Sequence, residues 1–158
     1  MANTASLCTS FLSELMTGTH NFGVSPIRAA TTADTFKGAL YTTTATYNAS
    51  TTAYSATGEV SGTNYSAGGV TVTNATPPAS TNTSATAGTA YWTPSASLTY
   101  TNVTLATAFD TVLIYNSTQS NKAVGVYTFG SQTITAGTFT LTMPSNTTST
   151  ALIRISTT

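Results

Sequence analysis

The chain has 158 residues, of which only four are Lys or Arg and four are Asp or Glu, so its formal net charge is zero. Forty threonines and eighteen serines supply most of its polarity. Ordinary soluble domains carry about 25% charged residues, and this scarcity excludes a basic nucleic-acid-binding surface, which needs several phosphate contacts. We also expect no metal centre and no acid–base active site, and hence a structural protein without cofactors rather than an enzyme.

The N-terminal segment, residues 1–22, has the pattern of one short helix. Its apolar residues recur at helical spacing, and Ser6 and Gly18 are placed to cap the helix at its start and its end. The apolar positions are Leu7, Cys8, Phe11, Leu12, Leu15 and Met16. A helix of about three turns is unstable alone in water, so it must pack on its own domain or on a neighbouring subunit. We interpret Cys8, the only cysteine, as a buried and inert thiol.

Residues 23–158 are predicted to form one all-β domain, an antiparallel β-sandwich of jelly-roll type. Thr, Val, Tyr, Phe and Ile alternate there with a period of two, which fits half-buried strands. The predicted strands are 35–42, 69–73, 89–93, 98–105, 109–116, 122–130, 138–143 and 151–156. Residues 112–115 form a continuous apolar run typical of a central strand, and the polar residues 117–121 predict a hairpin turn. Seven or eight short strands without a second helix favour a sandwich.

Two segments between the strands are predicted to be loops. Residues 48–69 contain four glycines and few large aliphatics, and residues 75–88 form a low-complexity connector rich in Pro, Ser, Thr and Asn. Tyr47, Tyr54 and Tyr65 belong to the first loop, so we expect them to be exposed or to lie at a subunit contact. They could alternatively form a sugar-binding platform. The strand aromatics are expected in the core or on a sheet surface, and they are Tyr91, Trp92, Tyr100 and Tyr127.

The few groups that could perform chemistry are scattered along the chain. Glu59 and Asp110 could form a glycosidase pair, but nothing in the sequence brings them together, and carboxylates at turns are commonly caps. His20 is the only histidine, and we interpret it as a hydrogen-bonded residue that follows the helix. The glycines at 58–69 do not have the spacing of a phosphate-binding loop.

No segment indicates a membrane span or an export signal. A membrane helix needs about 18 consecutive apolar residues, and no stretch approaches that length. The first eight residues lack the basic and long apolar regions of a signal peptide. We therefore expect a protein that is made in the cytoplasm and has no membrane partner.

Short stretches of the chain resemble small virion structural proteins of tailed bacteriophages. The stretches that carry this resemblance are residues 18–22, 52–65 with 67–69, and 113–117 with 121–124. The family includes capsid decoration (cement) proteins and related head and tail accessory proteins. The resemblance carries no catalytic motif and implies an oligomeric, β-rich subunit bound to a phage particle.

We therefore expect a non-enzymatic capsid decoration protein of a virion, assembled in the host cytoplasm. It would form a homo-oligomer, with a trimer suiting a capsid three-fold axis, and bind a major capsid protein or another virion protein through buried area and multivalency. The expected interface residues are Leu7, Phe11, Leu12, Leu15, Tyr47, Tyr54 and Tyr65. The alternatives are a tail-fibre or baseplate module that binds host carbohydrate, and a secreted or surface adhesin.

Overall fold

The computed structural model describes residues 5–16, 18–22, 33–81 and 88–157, without the side chains of residues 12, 13, 16 and 157. The helix in these ranges is α1, Thr9–Met16. The strands are β1 (Ala5–Leu7), β2 (Phe36–Thr42), β3 (Val70–Thr71), β4 (Ala79–Ser80), β5 (Gly88–Trp92), β6 (Leu98–Asn116), β7 (Lys122–Leu141) and β8 (Ile153–Thr157).

The strands form two antiparallel sheets that share one core. The large sheet has the order β1-β7-β6-β2-β3, and the small sheet has the order β4-β5-β8. Trp92 of the small sheet packs on Phe22 with ring centroids 4.7 Å apart, and Phe22 stacks on Phe36 of the large sheet at 4.4 Å. The prediction of an all-β antiparallel fold is confirmed, while the more specific jelly-roll connectivity stays a prediction.

The centre of the fold is one long hairpin, β6 and β7, of 19 and 20 residues. The sequence predicts four strands here, with breaks at residues 106–108 and 131–137, and this prediction is wrong. The residues of both breaks are exposed or half-buried, yet the backbone pairing continues through them with several register shifts. The predicted turn at 117–121 is confirmed, and Ser120 and Asn121 adopt the positive φ angles of 53° and 59° that it requires.

The first described residues, Ala5–Leu7, form a strand that the sequence does not indicate. Ser6, predicted as the helix cap, lies in β1 and pairs with Val126 on the edge of β7, and the helix begins only at Thr9. An open sheet edge supplies backbone partners to these residues, and this gain exceeds their local preference for a cap. At the other end the prediction is confirmed, because Gly18 has a φ of 68° and its N–H donates to Leu15 O at 3.1 Å.

The core lies on β2, β6 and the first part of β7. Residues 112–115 are at most 3% exposed, which confirms the predicted central strand. Phe11 of α1 is fully buried and packs edge-on against Phe22 with a centroid distance of 5.9 Å. The helix is therefore packed on its own domain. The division into units 1–22 and 23–158 stays a prediction, since the described part of the first unit shares this core.

The two predicted loops differ in how far they are described. The segment between β2 and β3 forms only isolated bridges, at Tyr41–Glu59, Ala53–Lys122 and Thr63–Thr104, so its prediction as a loop is confirmed. The second loop contains β4, and residues 82–87 lie outside the described part.

Candidate functional site

In the segment between β2 and β3, one carboxylate, Glu59, joins three residues of the segment to one another. Its Oε2 accepts a hydrogen bond from the Tyr54 hydroxyl at 2.7 Å, and its Oε1 accepts one from the Tyr65 hydroxyl at 2.8 Å. The N–H of Gly68 also donates to Oε1, at 2.7 Å. The Tyr65 oxygen accepts the N–H of Leu40 in β2 at 3.0 Å. We call Glu59, Tyr54, Tyr65 and Gly68 the Glu59 cluster, and it pins the loop to an interior strand.

The tyrosine rings of this loop pack on β6. Tyr54 stacks on Tyr115 with centroids 4.7 Å apart, and Tyr65 stacks on Tyr100 at 6.0 Å. The Tyr115 hydroxyl donates to Gly68 O at 2.9 Å. Burial, together with the charge of Glu59, raises the pKa of Tyr115 to about 12. This hydroxyl therefore keeps its proton at neutral pH and remains a hydrogen-bond donor.

Tyr47, Tyr54 and Tyr65 are thus half-buried parts of the fold, and the fully exposed position considered for them is not found. The Tyr47 ring lies 3.8 Å from that of Tyr41, and its hydroxyl donates to Thr57 O at 3.0 Å. Internal contacts occupy the hydroxyls that a sugar platform would offer to a ligand. A role of these tyrosines in a subunit contact stays a prediction.

A second polar cluster joins α1 to the hairpin turn. Lys122 Nζ donates to Glu14 Oε1 at 2.6 Å, and Glu14 Oε2 lies 2.8 Å from His20 Nε2. His20 Nδ1 lies 3.1 Å from Asn116 Nδ2, which also donates to Asp34 Oδ2 at 2.8 Å. We call these five residues the His20 network. It connects the helix, the segment after the helix, the approach to β2 and both ends of the hairpin turn.

The tautomer of His20 follows from its neighbours. Asn116 Oδ1 accepts the backbone N–H groups of Thr118 and Gln119 at 3.1 and 3.2 Å, so Nδ2 is the atom that faces His20. An amide nitrogen only donates, and His20 Nδ1 must therefore accept while Nε2–H points to Glu14. Burial lowers the pKa of His20 against the opposing effect of Glu14. The imidazole is neutral at pH 7, and its single proton is held by a carboxylate.

The network contains two carboxylates, Glu14 and Asp34. Glu14 is stabilised in its ionised form, and Asp34 accepts several hydrogen bonds. Burial tends to raise the pKa of Glu14, but the hydrogen bonds and charges of Lys122 and His20 outweigh it and lower the pKa. Asp34 is only 6% exposed and also accepts the Asn21 N–H at 2.9 Å. The interpretation of His20 as a hydrogen-bonded residue after the helix is confirmed, and the network acts as a structural clamp.

Among the described residues, the remaining reactive groups do not assemble into a catalytic arrangement. Burial and the nearby Glu14 raise the pKa of the Cys8 thiol to about 11, which fits the prediction of an inert, buried cysteine. Asp110 accepts a hydrogen bond from Thr111 Oγ1 at 2.8 Å, whereas Glu59 is bound within its own cluster. In the described part of the chain, no three His, Cys, Asp or Glu side chains are grouped to hold a metal ion.

Within the same residues, none of the helices has the length and apolarity of a membrane span.

A cleft of about 670 Å³ opens between the edges of the two sheets. β1, at the end of the large sheet, forms one wall, and Arg154 and Ser156 of β8, at the end of the small sheet, form the other. Tyr127 and Leu152 also line the cleft, and the Tyr127 hydroxyl lies 3.4 Å from Leu152 O. We call this space the inter-sheet cleft.

The predicted interface residues of the N-terminal segment lie against the domain itself. Leu7 and Leu15 are half-buried on the core and Phe11 is fully buried, while the side chain of Leu12 lies outside the described part. Their role in an interface between subunits stays a prediction.

Comparison with known proteins gives no match, whether with family models, curated proteins or solved structures. The site must therefore be interpreted from its own residues. Sequence reasoning missed Asn116, Asp34 and Lys122 as members of a buried network. The sequence could have indicated only that Asn116 and Lys122 are neighbours, because they flank the predicted turn and so must lie side by side.

Proposed function

We propose that this chain is a non-enzymatic structural protein of a bacteriophage virion, a decoration protein that binds the capsid surface as a homo-oligomer, with a trimer as the expected form. The proposal combines the resemblance of residues 18–22, 52–65 with 67–69, and 113–117 with 121–124 to virion proteins with the distribution of charge in the fold. Its partners would be copies of itself and a major capsid protein or another virion protein. It would act by covering area rather than by catalysing a reaction.

The observation that carries the proposal is the uncharged edge of β7. β1 pairs with residues 125–127 of β7, and along residues 129–141 no described strand other than β6 pairs with it. The sequence has no Asp, Glu, Lys or Arg from residue 123 to residue 153. Proteins that live free in solution protect such edges with charges. An edge of this length without charges favours a protein whose surface is covered in an assembly.

The use of the carboxylates supports the same proposal. Glu14, Asp34, Glu59 and Asp110 are all the acidic side chains of the chain, and each accepts an internal hydrogen bond. The charges therefore stabilise the fold and contribute little to solubility. An exposed surface of Ser and Thr remains, which can form hydrogen bonds in a large contact without the desolvation penalty of buried charges.

The carbohydrate-binding alternative has less support. It relies on Tyr54 and Tyr65, whose hydroxyls are both bound to Glu59. A glycan would have to break the Glu59 cluster or bind through other residues. The alternative therefore predicts glycan binding that disappears in Tyr54→Ala or Tyr65→Ala while the fold is kept.

The test is to locate the polypeptide on virions of the phage that encodes it. Mass spectrometry of purified virions gives the copy number relative to the major capsid protein, and gold-labelled antibodies separate the head from the tail. We expect label over the head and many copies per capsid. Label confined to the tail tip would support the carbohydrate-binding module, and absence from virions would overturn the proposal.

The oligomeric state provides an independent test. Mass photometry and sedimentation of the purified chain should give a closed oligomer, with three copies expected. A chain that remains a monomer at high concentration, both in solution and when mixed with undecorated capsids, would contradict the proposal. Turnover of any substrate would do the same.

A further inference from the structure

We infer that the inter-sheet cleft binds an extended peptide segment of another protein, and that Arg154 pairs with an acidic side chain of this peptide. The inference goes beyond the proposed function, because it assigns a ligand class to a site whether or not the chain decorates a capsid. It uses three observations: the edge strand β1 that lines the cleft, the single charge among the described lining residues, and the internal use of the chain's own carboxylates.

One wall of the cleft, β1, has the geometry for adding a strand, while β8 lines the cleft through Arg154 and Ser156, which lie on one face of that strand. β1 and β8 are each the last strand of a sheet in the described part, so their outer backbone groups have no strand partner. Extended peptides add to such edges through main-chain hydrogen bonds, and pockets for alternate side chains give specificity. β1 has three residues, so it can pair with about three residues of an extended peptide, a length of about 10 Å at about 3.3 Å per residue.

The charge of the cleft selects for an anion. Arg154 is the only charged side chain among the described residues that line it. Its Nη1 donates to Ser149 O at 2.6 Å, which fixes the side chain and uses one of the five guanidinium donors. A guanidinium binds a carboxylate with two parallel hydrogen bonds. The neighbouring hydroxyls of Thr150 and Ser156 already bond to Ser145 O and Thr89 Oγ1, at 2.8 and 3.0 Å, and carry no charge that could attract an anion.

The chain itself is a poor source of that carboxylate. Glu14, Asp34 and Glu59 are each held by two or more internal partners, and only Asp110 has a single one. A carbohydrate is also disfavoured, because the cleft has one aromatic lining residue, Tyr127, and it is half-buried. The geometry and the charge together favour a peptide from a different protein.

The test uses an array of blocked heptapeptides in which Val and Thr alternate and the central residue is Glu, Asp, Gln or Asn. Hits are measured by fluorescence anisotropy with the full chain. We expect acidic members to bind about ten-fold more tightly than their amide counterparts, as charge-assisted hydrogen bonds predict. NMR shifts should appear at residues 5–7 and 153–156. No binding at 1 mM peptide, equal binding of Glu and Gln members, or shifts elsewhere would overturn the inference.

Matched variants separate the cleft from general charge effects. Arg154→Gln should remove the preference for Glu, whereas Lys37→Gln, on β2 of the large sheet, should leave it unchanged. Because Arg154→Gln also loses the bond to Ser149, Ser156→Asp serves as a second variant, placing a competing carboxylate in the cleft without removing Arg154. Equal effects of Arg154→Gln and Lys37→Gln would contradict the inference.

Two further experiments test whether a different ligand occupies the inter-sheet cleft. Sialyllactose that shifts the same amides more strongly than any peptide would replace the peptide by an acidic sugar. Self-association that is lost in both Arg154→Gln and Asp110→Asn would replace it by a second copy of the chain. Either result would overturn the inference, and neither would decide whether the protein decorates a capsid.

Discussion

The two ends of the β6–β7 hairpin use polar residues in opposite ways. At the turn end, residues 111–116 of β6 are buried on both faces, and the His20 network closes over them with three of the eight charged side chains. At the far end, residues 130–141 of β7 are exposed or half-buried and carry no charge at all. Within this hairpin region, charged side chains therefore fix the turn end, and residues 130–141 have none.

This difference shows how a chain with so few charges can still specify one structure. A buried polar group must be satisfied, and a network with every member bonded admits one arrangement of the elements it joins. Asn116 is fully buried and bonds to two side chains and two backbone N–H groups. At the far end, the pairing of β6 with β7 instead passes through several register shifts, and exposed Ser and Thr side chains line β7.

The largest expected difference between the two ends appears when one methyl group is added at each of them. Gly69 has a φ of 73°, and a Cβ there would overlap the carbonyl oxygen of Gly38. We expect Gly69→Ala to lower the free energy of unfolding by more than about 3 kcal/mol, since strain and backbone overlap add. Gly130, at the far end, has no atom within 4 Å of a Cβ, and Gly130→Ala should change stability by less than about 1 kcal/mol. Urea unfolding measures both, and equal losses would contradict the comparison.

The next effect tests the buried amide. Asn116→Ala leaves Asp34 and His20 without a shared donor, and we expect a loss of about 3 kcal/mol from unpaired buried groups. The control is Gln132→Ala at the far end, an exposed amide whose Nε2 donates to Gly130 O at 3.1 Å. It should cost no more than about 0.5 kcal/mol. If the two substitutions cost the same, the network does not stabilise the fold as described.

A smaller effect appears as a dependence on pH. The pKa of His20 in the fold is below its ordinary value of 6.5, so the unfolded chain takes up a proton first as the pH falls. The free energy of unfolding should therefore decrease below pH 6.5, by at most about 1.4 kcal/mol per pH unit. Glu14 acts in the same direction at lower pH, because its pKa is lowered from 4.5 and its contribution disappears as it protonates.

His20→Gln provides the control for this pH dependence. The chain has one histidine, so the variant should unfold with nearly the same free energy at pH 7.5 and pH 5.5. Urea titrations at pH 7.5, 6.5 and 5.5 compare it with the parent protein. A parent protein that is equally stable at all three values would refute the neutral, buried imidazole.

The smallest effect on stability should come from the exposed edge. Thr133 and Thr140 are exposed on β7, and Thr133→Glu with Thr140→Glu should change the free energy of unfolding by less than about 1 kcal/mol. The same double variant should reduce oligomer formation and retention on capsids, because it adds charge to the uncharged edge. The matched control is Thr43→Glu with Thr46→Glu, at two threonines that are exposed in the loop after β2. If both pairs assemble alike, the edge of β7 is not a contact.

The sequence by itself determined the class of the fold and its central strand. The alternation of apolar and polar residues predicts strands because it depends only on the period of the backbone, as at residues 138–143, where Phe139 and Leu141 face the core and Thr138 and Thr140 face solvent. It also identifies the hairpin turn and the end of the helix at Gly18. These features are local, and local residues decide them.

Only the tertiary structure decided which elements join and which polar groups meet. β1 forms because the edge of β7 is available, and the four predicted central strands merge into two because pairing continues through residues without a pattern. Glu59 finds two tyrosines, and His20 finds Asn116, 96 residues away in the chain. Such contacts depend on three-dimensional proximity, and their energy comes from burial and from complete hydrogen bonding, which no local window of sequence contains.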